Sequence, residues 1–376
     1  MTNMLPAVPA SARSITGVAS DLRGALSGGA SSLRPARSAV LVVIDGLGAG
    51  QLRAHAGHAR LLSGAMAKKD VAQSVFPSTT AAALTSIVTG VAPGEHGLVG
   101  YRVLDRRSGR LVNQLSGWGE ARIDAASWQQ EPTVFERVRA EGRPAFAVGL
   151  AAYATSGFTA ATLRGAEFRA AATPAERLEL SYQLAAENEG ALVYCYLPEA
   201  DQAGHKHGVA SSSWVAALED IDAALSLRIP ERTGVLVTAD HGMVDVPRHR
   251  HLVVDDGDRM LTGVTHVGGE PRMLHLYLDD PARLPEAQAA WAEGTEGIAD
   301  VLSRDQAIAA GLLGPLVTAD AASRLGDLVV MARGAWAIYD GREADRRSQD
   351  MIGQHGSVTP EETRVPWIRL GAFAQG

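Results

Sequence analysis

Short, continuous runs of apolar residues recur along the chain, and segments with helical spacing lie between them. Residues 38–44 form the first run, and residues 191–196 and 234–239 form two later ones. A strand that is covered on both faces has this continuous pattern, whereas a half-exposed strand alternates apolar and polar positions. The pattern therefore predicts an α/β fold in which a mostly parallel central sheet carries helices on both faces.

The pattern also divides the chain. Residues 1–36 are rich in Ala, Ser, Gly and Pro, which predicts a loosely packed N-terminal arm. Residues 37–244 and 346–376 are expected to form the catalytic core. Residues 245–345 lack the regular strand–helix rhythm, and they are expected to form a smaller α+β insertion that covers the sheet as a cap.

Composition narrows the class of protein. The chain has 376 residues, of which 46% are hydrophobic and 20% are charged, with a net charge of −7. Because there is no surplus of positive charge, binding of a nucleic-acid polymer is not expected. No apolar stretch reaches the length of a membrane span, and the first residues lack a signal-peptide pattern. We expect a cytoplasmic protein that acts on a small molecule away from membranes; its oligomeric state stays open.

Acidic and histidine side chains follow the predicted strands. One Asp comes directly after the first apolar run, an Asp-His pair follows the third, and an Asp and a His spaced four apart follow the second. Ligands gather at the carboxyl edge of a parallel sheet, so these remote segments converge there. Carboxylate oxygen and imidazole nitrogen are ligands of zinc, with Mn²⁺ as a possible substitute. The residues are Asp45, Asp201, His205, Asp240, His241 and His355.

Each of these residues also has an ordinary structural interpretation. An Asp after a strand commonly caps a helix or forms a turn, and Asp201 with His205 is compatible with a solvated helical pair. Thr79 and Thr80 stand where a helix should begin, so either hydroxyl is a candidate helix cap. The hypothesis of a metal site depends on the coincidence of all the segments.

The motifs together resemble those of the alkaline phosphatase superfamily, and within it those of the nucleotide pyrophosphatase/phosphodiesterase branch. The resemblance spans roughly residues 39–371. The segments that carry it are Val42-Val43-Ile44-Asp45-Gly46, Thr80 running into Ser86-Ile87-Val88-Thr89-Gly90, Pro198 to Gly208, Asp240-His241-Gly242 and His355-Gly356.

The resemblance implies two zinc ions and a phosphothreonine intermediate. The first ion is expected on Asp45, Thr80, Asp240 and His241, and the second on Asp201, His205 and His355. The family nucleophile lies six residues before the string that begins here at Ser86, which selects Thr80 over Thr79. Zinc lowers the pKa of a bound hydroxyl and so activates it as a nucleophile.

The chain departs from the family pattern around the substrate. Where the phosphodiesterase branch has an Asn that binds a phosphate oxygen, this chain has Tyr101, whose hydroxyl is a candidate donor. An ordinary hairpin aromatic is the alternative. The residues after Thr80 are alanines, so the sequence does not predict a surface on which a nucleobase could stack. Lys206 stands between two histidines and is a candidate contact for a substrate anion, or a solvent-facing residue.

The sequence thus predicts a metal-dependent phosphoric ester hydrolase, a phosphodiesterase or nucleotide pyrophosphatase. A phosphomonoesterase or phosphonate hydrolase that uses the same metals is the alternative, and a metal-binding protein without turnover is the alternative from another class. A sulfatase is not supported, because Cys195 lies within an apolar run and lacks the Cys-x-Pro-x-Arg pattern.

Overall fold

A computed structural model describes residues 12–374. The strands are β1 Ser38–Ile44, β2 Val71–Gln73, β3 Arg102–Asp105, β4 Arg110–Asn113, β5 Ala145–Gly149, β6 Glu167–Ala170, β7 Leu192–Leu197, β8 Thr233–Thr238, β9 Val244–Asp245, β10 His251–Val254, β11 Val264–Glu270, β12 Met273–Leu278, β13 Ala299–Ser303, β14 Leu328–Ala332, β15 Ala337–Asp340, β16 Gly353–Gln354 and β17 Arg364–Gly371. The α-helices are α1 Val18–Ser27, α2 Ala49–Ala54, α3 Arg60–Ala65, α4 Thr80–Thr89, α5 Pro93–His96, α6 Ala125–Trp128, α7 Val134–Ala140, α8 Gly157–Thr162, α9 Pro174–Glu187, α10 Glu199–His207, α11 Ser212–Leu225, α12 Leu284–Gly294, α13 Arg304–Ala309, α14 Ala319–Arg324 and α15 Pro360–Thr363.

The central sheet has seven strands in the order β2-β17-β8-β1-β7-β5-β6. Strands β8, β1, β7, β5 and β6 pair in parallel, whereas β17 runs antiparallel to both of its neighbours. Every residue of β1 is buried. Since side chains alternate between the two faces of a strand, both faces of the sheet are covered at its centre. The predicted α/β fold with a mostly parallel sheet is confirmed.

A second sheet lies within residues 264–332. It is antiparallel in the order β11-β12-β14-β13 and has its own apolar core, which includes Leu276 and Trp291. The β3–β4 hairpin, outside the predicted insertion, joins this region, because the Leu104 N–H donates to the Tyr277 hydroxyl at 3.0 Å. The division of the chain at 245 and 345 into core and cap remains a proposal.

The N-terminal segment is packed within the described residues, so the predicted loose arm is wrong from residue 12 onward. Ile15, Val18 and Leu22 are fully buried and belong to the main apolar core. Helix α1 contacts α4, and the Gln73 N–H donates to the Arg13 carbonyl at 2.7 Å. The apolar side chains recur at helical spacing, which gives this Ala- and Gly-rich segment one face to bury. Residues 1–11 of the predicted arm lie outside the described residues.

Between residues 12 and 374, no helix has both the length and the apolar character that crossing a membrane requires.

Candidate metal centre and nucleophile

Three neighbouring strands of the central sheet deliver the candidate site. Strand β1 lies between β7 and β8, and all three run in the same direction. Asp45 directly follows β1, Asp240 follows β8 after one residue, and α10 with Asp201 follows β7. The fourth segment arrives through the short pairing of β16 with β9, in which Gln354 stands opposite Val244. That pairing places His355 beside the ends of the strands.

The first cluster surrounds His241. Its Nε2 lies 3.5 Å from Asp45 Oδ1, 3.4 Å from Asp240 Oδ2 and 3.1 Å from Thr80 Oγ1. Asp240 and His241 are fully buried, and Asp45 is nearly so. Four residues from three remote segments therefore point at one small volume.

The second cluster adjoins the first. His205 Nε2 lies 3.4 Å from Asp201 Oδ1 and 3.2 Å from His355 Nε2. The rings of His241 and His355 stack with their centroids 3.7 Å apart, which joins the two clusters. Asp201, His205 and His355 form one group of converging ligand atoms, and Asp45, Asp201 and His241 form another.

Backbone carbonyls orient all three histidines. Nδ1 of His205 lies 2.7 Å from the Gly353 carbonyl, and Nδ1 of His355 lies 2.9 Å from the Ser78 carbonyl. His241 Nδ1 lies 3.1 Å from the carbonyl of Gly242. Because a carbonyl oxygen only accepts, each Nδ1 carries the proton and each Nε2 presents a lone pair. Metal-binding histidines are oriented by this kind of outer contact.

In Asp45 and in Asp240, one carboxylate oxygen is held by a hydrogen bond and the other is left free. One oxygen of Asp45 accepts from the Tyr196 hydroxyl, and Asp240 Oδ1 accepts from the Gly46 and His241 N–H groups at 3.3 and 3.0 Å. The remaining oxygens, Asp45 Oδ1 and Asp240 Oδ2, are buried without a hydrogen-bond partner, as is Asp201 Oδ1. Buried polar atoms are rarely left unpaired. Bound divalent cations would satisfy these oxygens together with the histidine lone pairs, so the residues fit such ions.

Electrostatics within the protein favour positive charge here. Burial, with Asp240 and Asp201 nearby, raises the pKa of Asp45 well above its usual value, and burial likewise raises the pKa of Asp240. Burial, with the rings of His241 and His205 nearby, lowers the pKa of His355 well below the usual value for histidine. Three carboxyl groups and three imidazoles that converge in a largely buried site form a strong cation-binding set.

Gly46 permits the close approach of α10 to β1. Its φ is +72°, and a Cβ at this position would lie 3.0 Å from Asp201 atoms. A larger residue would be strained by its backbone angle and would displace the Asp201 carboxylate.

Helix α4 presents the candidate nucleophile at its first residue. Thr79 precedes the helix with extended backbone angles and makes no side-chain cap, and all ten residues of α4 are buried. The free backbone N–H groups of the first turn therefore lie beside Thr80 Oγ1 and the two clusters. A helix N-terminus of this kind favours an anion such as phosphate.

Tyr101 and Lys206, the two candidate substrate contacts, lie outside the two clusters. Tyr101 is half-buried at the start of the β3–β4 hairpin, and its carbonyl accepts from the Gln114 N–H at 2.7 Å. Lys206 is exposed on α10, next to His205. Neither side chain makes a hydrogen bond or ion pair to the two clusters within the described residues. Both roles stay predictions.

Sequence reasoning missed Glu270. It ends β11 and is 8% exposed, and both of its carboxylate oxygens lack a hydrogen-bond partner. A Cβ on Gly356, next to His355, would lie 2.6 Å from the Glu270 side chain. The carboxyl also lies close to the Thr79 side chain and the Tyr101 N–H. The sequence around Glu270 has no pattern that predicts the end of a strand or the start of a helix. Its position beside the site is therefore visible only in the folded structure.

Sequence reasoning also missed two supporting contacts. Tyr196 holds Asp45, and the alternation of Tyr194 and Tyr196 on one face of β7 was the available signal. Arg272 forms a fully buried bidentate pair with Glu362, at 2.7 and 2.8 Å. Glu362 also accepts from the Ser357 N–H at 3.0 Å, which steadies the segment after His355.

A cavity of about 840 Å³ opens beside the nucleophile. Thr80 and Tyr196 line it, and residues 115–125 and 152–163 contribute much of its wall.

Known structures share this architecture. Mouse ectonucleotide pyrophosphatase/phosphodiesterase 5 superposes with a TM-score of 0.66 at 16% identity, over 89% of this chain and 88% of that one. An inactive Thr-to-Ala variant of the mouse protein has been solved with AMP. Phosphonoacetate hydrolase from Sinorhizobium meliloti 1021, solved with phosphonoacetate, has a TM-score of 0.66 at 20% identity, over 90% of this chain and 91% of that one.

No curated protein sequence shows significant similarity to this chain. The sequence profile of the type I phosphodiesterase/nucleotide pyrophosphatase family matches residues 39–358, which include all seven candidate ligands. That match agrees with the resemblance found in the motifs. The chain belongs to the type I phosphodiesterase/nucleotide pyrophosphatase family, within the alkaline phosphatase superfamily.

Proposed function

We propose that this protein is a two-metal phosphodiesterase that acts through a covalent phosphothreonine at Thr80. The observation that carries the proposal is that three histidine Nε2 atoms and three unpaired carboxylate oxygens gather in two adjoining clusters, one of which contains the Thr80 hydroxyl. A protein that needed these groups only for its fold would pair them with one another or with the backbone.

Seven residues would hold two divalent cations, zinc by the nature of the donors. Asp45, Thr80, Asp240 and His241 would hold one, and Asp201, His205 and His355 the other. When bound, the cations supply charge neutralisation for the phosphate and lower the pKa of the Thr80 hydroxyl.

Individual residues of the chain then have separate roles in the reaction. Thr80 Oγ forms a bond to phosphorus while the bond to the ester oxygen breaks, and the departing alcohol takes up a proton. Water then hydrolyses the phosphothreonine, which restores the Thr80 hydroxyl and releases a phosphomonoester. The N–H groups at the start of α4 bind the phosphate oxygens. Tyr101 donates to one of those oxygens, and Lys206 contacts an outlying anionic group.

A phosphonate hydrolase is the second candidate. The structural similarity to phosphonoacetate hydrolase favours it, since that enzyme covers nearly the whole chain at the same TM-score as the mouse phosphodiesterase. The same nucleophile and the same cations would serve both reactions, so the substrate decides between them.

Turnover of zinc-loaded protein tests the proposal. We expect hydrolysis of bis-p-nitrophenyl phosphate to exceed that of p-nitrophenyl phosphate and of phosphonoacetate. Thr80→Ala should lower kcat by at least about 10³-fold, because no other group replaces the attacking oxygen. Thr79→Ala is the matched control and should have a mild effect.

Three outcomes would contradict the proposal. Hydrolysis of phosphonoacetate alone would make the protein a phosphonate hydrolase. Full metal loading without turnover of any substrate would make it a metal-binding protein. Loss of activity in Thr79→Ala with activity retained in Thr80→Ala would move the nucleophile by one residue. Metal content by mass spectrometry should remain near two equivalents in the Thr79 variant.

A further inference from the structure

The Glu270 carboxyl is buried without a counter-charge of its own. The side chain is 8% exposed, and neither of its oxygens has a hydrogen-bond partner between residues 12 and 374. Two arginines of the same region are paired with other carboxylates, Arg272 with Glu362 and Arg102 with Glu343. A buried polar group without such compensation lowers stability. Residues of this kind are expected where a protein gives up stability for function.

The carboxyl lies where three segments of the candidate site meet. The Thr79 side chain, next to Thr80, lies beside it, and so does the N–H of Tyr101. The third segment follows His355. A Cβ on Gly356 would lie 2.6 Å from the Glu270 Cγ and 2.7 Å from its Oε1, so the missing side chain at Gly356 admits the carboxyl.

Two of these segments are joined without Glu270. The Ser78 N–H donates to the Gly356 carbonyl, and the Gly356 N–H donates to Ser78 Oγ, both at 3.2 Å. The Ser78 carbonyl also lies 2.9 Å from His355 Nδ1. The nucleophile helix and the His355 segment are therefore held together by main-chain contacts.

Tyr101 lacks a comparable connection. Its carbonyl accepts from the Gln114 N–H within its own hairpin, and among the described residues no main-chain carbonyl accepts from its N–H. Glu270 is the acidic side chain that faces this N–H. A carboxyl group has an oxygen that accepts in either protonation state. Glu270 therefore connects Tyr101 to the segments of Thr79 and Gly356.

The direction of Tyr101 matters for the reaction proposed above. A tyrosine carries its hydroxyl at the far end of a long, rigid side chain, so a small rotation of the main chain moves the hydroxyl by a larger distance. A displacement of about 1 Å in a catalytic contact can cost about 10²-fold in rate.

We propose that Glu270 is a positioning residue that holds the Tyr101 main chain against Thr79 and so fixes the Tyr101 hydroxyl relative to the Thr80 nucleophile. The inference rests on the proposed function, because it takes Thr80 as the nucleophile and Tyr101 as a donor to the phosphate. Glu270 acts through Tyr101 and touches neither the phosphate nor a cation.

Two substitutions separate positioning from a structural role. Glu270→Met replaces the carboxyl by an apolar side chain of the same length, whereas Glu270→Gln keeps an acceptor. With zinc-loaded protein and bis-p-nitrophenyl phosphate, we expect Glu270→Met to lower kcat about 10- to 10²-fold with little change in KM. Glu270→Gln should stay within about threefold of wild type at pH 7, as expected when the acceptor is what matters.

Stability should move in the opposite direction to activity. The melting temperature of Glu270→Met should equal or exceed that of wild type, because an apolar side chain replaces an uncompensated buried carboxyl. Its metal content should match that of wild type. A residue needed only for the fold would instead lose stability, metal and activity together.

Hydrogen exchange tests the contact itself and needs no turnover. Exchange of the Tyr101 N–H, measured by mass spectrometry with fragmentation, should be at least about tenfold faster in Glu270→Met and near wild type in Glu270→Gln. Asp105→Leu is the control. It removes another buried carboxyl, 6% exposed with one unpaired oxygen, at the opposite end of β3 from Arg102. It should change neither exchange at Tyr101 nor kcat. Glu270→Leu replaces Glu270→Met if that variant does not fold.

A double-mutant cycle connects the effect to the Tyr101 hydroxyl. In a Tyr101→Phe background, Glu270→Met should lower kcat by less than about threefold, because the hydroxyl that it would misplace is already gone. A loss as large as in the wild-type background would show that Glu270 does not act through Tyr101.

The inference is also overturned if Glu270→Met keeps wild-type kcat and Tyr101 exchange, or if its activity falls only in proportion to its metal content. Failure of the proposed function has a different signature. Faster exchange at Tyr101 in Glu270→Met, in a protein that hydrolyses no phosphodiester, would keep the contact and reject the catalytic assignment. Wild-type turnover that depends on Thr80 but not on Glu270 would keep the function and reject the inference.

Discussion

Glu270 is a buried carboxyl group beside the candidate site. Burial, with the Glu362 carboxylate nearby, raises the pKa of Glu270 to about 8, although Thr79, the Tyr101 N–H and Arg102 favour its charged form. The folded protein therefore holds this proton more tightly than the unfolded chain does. Between about pH 4.5 and pH 8 the unfolded chain loses the proton first, so the contribution of Glu270 to stability falls as pH rises.

Glu270→Gln is expected to stabilise the metal-free protein at high pH. The amide has nearly the same shape and does not titrate, so the gain over wild type should be small at pH 5 and reach a few kcal/mol at pH 8. Urea unfolding of EDTA-treated protein at both values measures it. A gain that is equal at the two pH values would show that Glu270 is ionised in the folded state.

Tyr101→Phe tests the departure from the family pattern. If the hydroxyl donates to a phosphate oxygen that gains charge in the transition state, its loss should lower kcat/KM by about 10²–10³-fold. The ring remains, so the melting temperature should change little. Steady-state kinetics beside a thermal melt separates the two effects, and unchanged kinetics would falsify the catalytic role.

Whether a site residue was predictable from the sequence depends on how local its signal is. Asp45 and Asp240 follow apolar strands within one or two residues, and a parallel sheet brings such positions together. Glu270 and Arg272 reach the site through a hairpin whose docking depends on distant residues, Gly356 and Glu362. No pattern within their own segment records those contacts.

At the scale of elements, the turn between β11 and β12 connects the second sheet to the segment that carries His355 of the candidate metal centre. Glu270 ends one strand, and Arg272 precedes the other. The Arg272 guanidinium donates to both oxygens of Glu362 and to the Trp336 carbonyl at 2.7 Å. The guanidinium lowers the pKa of Glu362 despite its burial. This buried pair fixes the hairpin against the segment that carries His355.

Arg272→Met should cost about 3–5 kcal/mol of unfolding free energy, because it leaves the Glu362 carboxylate buried without its counter-charge. Adding Glu362→Gln should restore part of that loss, since the amide still accepts from the Ser357 N–H without carrying charge. A double-mutant cycle by urea denaturation measures the coupling. Additive losses would mean that the pair contributes no interaction of its own.

The N-terminal helix shows how composition can mislead at this scale. Residues 1–36 have the Ala, Ser, Gly and Pro content of a linker, which predicted a loose arm. Yet Ile15, Val18, Leu22 and Leu26 recur at helical spacing, and all four are buried. Periodicity was therefore the better guide, because burial depends on where the apolar residues fall and not on how many there are.

At the scale of the whole molecule, the candidate metal centre joins segments from residue 45 to residue 355. Removing bound cations with EDTA should lower the melting temperature by several degrees, because the carboxylates of Asp45, Asp201 and Asp240 would lose their counter-charge. The metal content of the wild-type protein should be near two equivalents. Asp240→Asn should reduce this metal content, and it should also reduce the fall in melting temperature that EDTA causes. A content of one equivalent or less after zinc loading would contradict the two-ion site.

Strand β17 has a consequence for biosynthesis. It lies inside the central sheet, between β2 and β8, and it buries Trp367 there. Strand β8 is complete more than a hundred residues earlier in translation, but it keeps one open edge until residues 364–371 have left the ribosome. An unpaired apolar strand edge invites pairing with other chains. Until β17 pairs with β8, the nascent protein has a nearly complete sheet with an exposed apolar edge. Its need for chaperones should therefore be greatest just before synthesis of that strand ends.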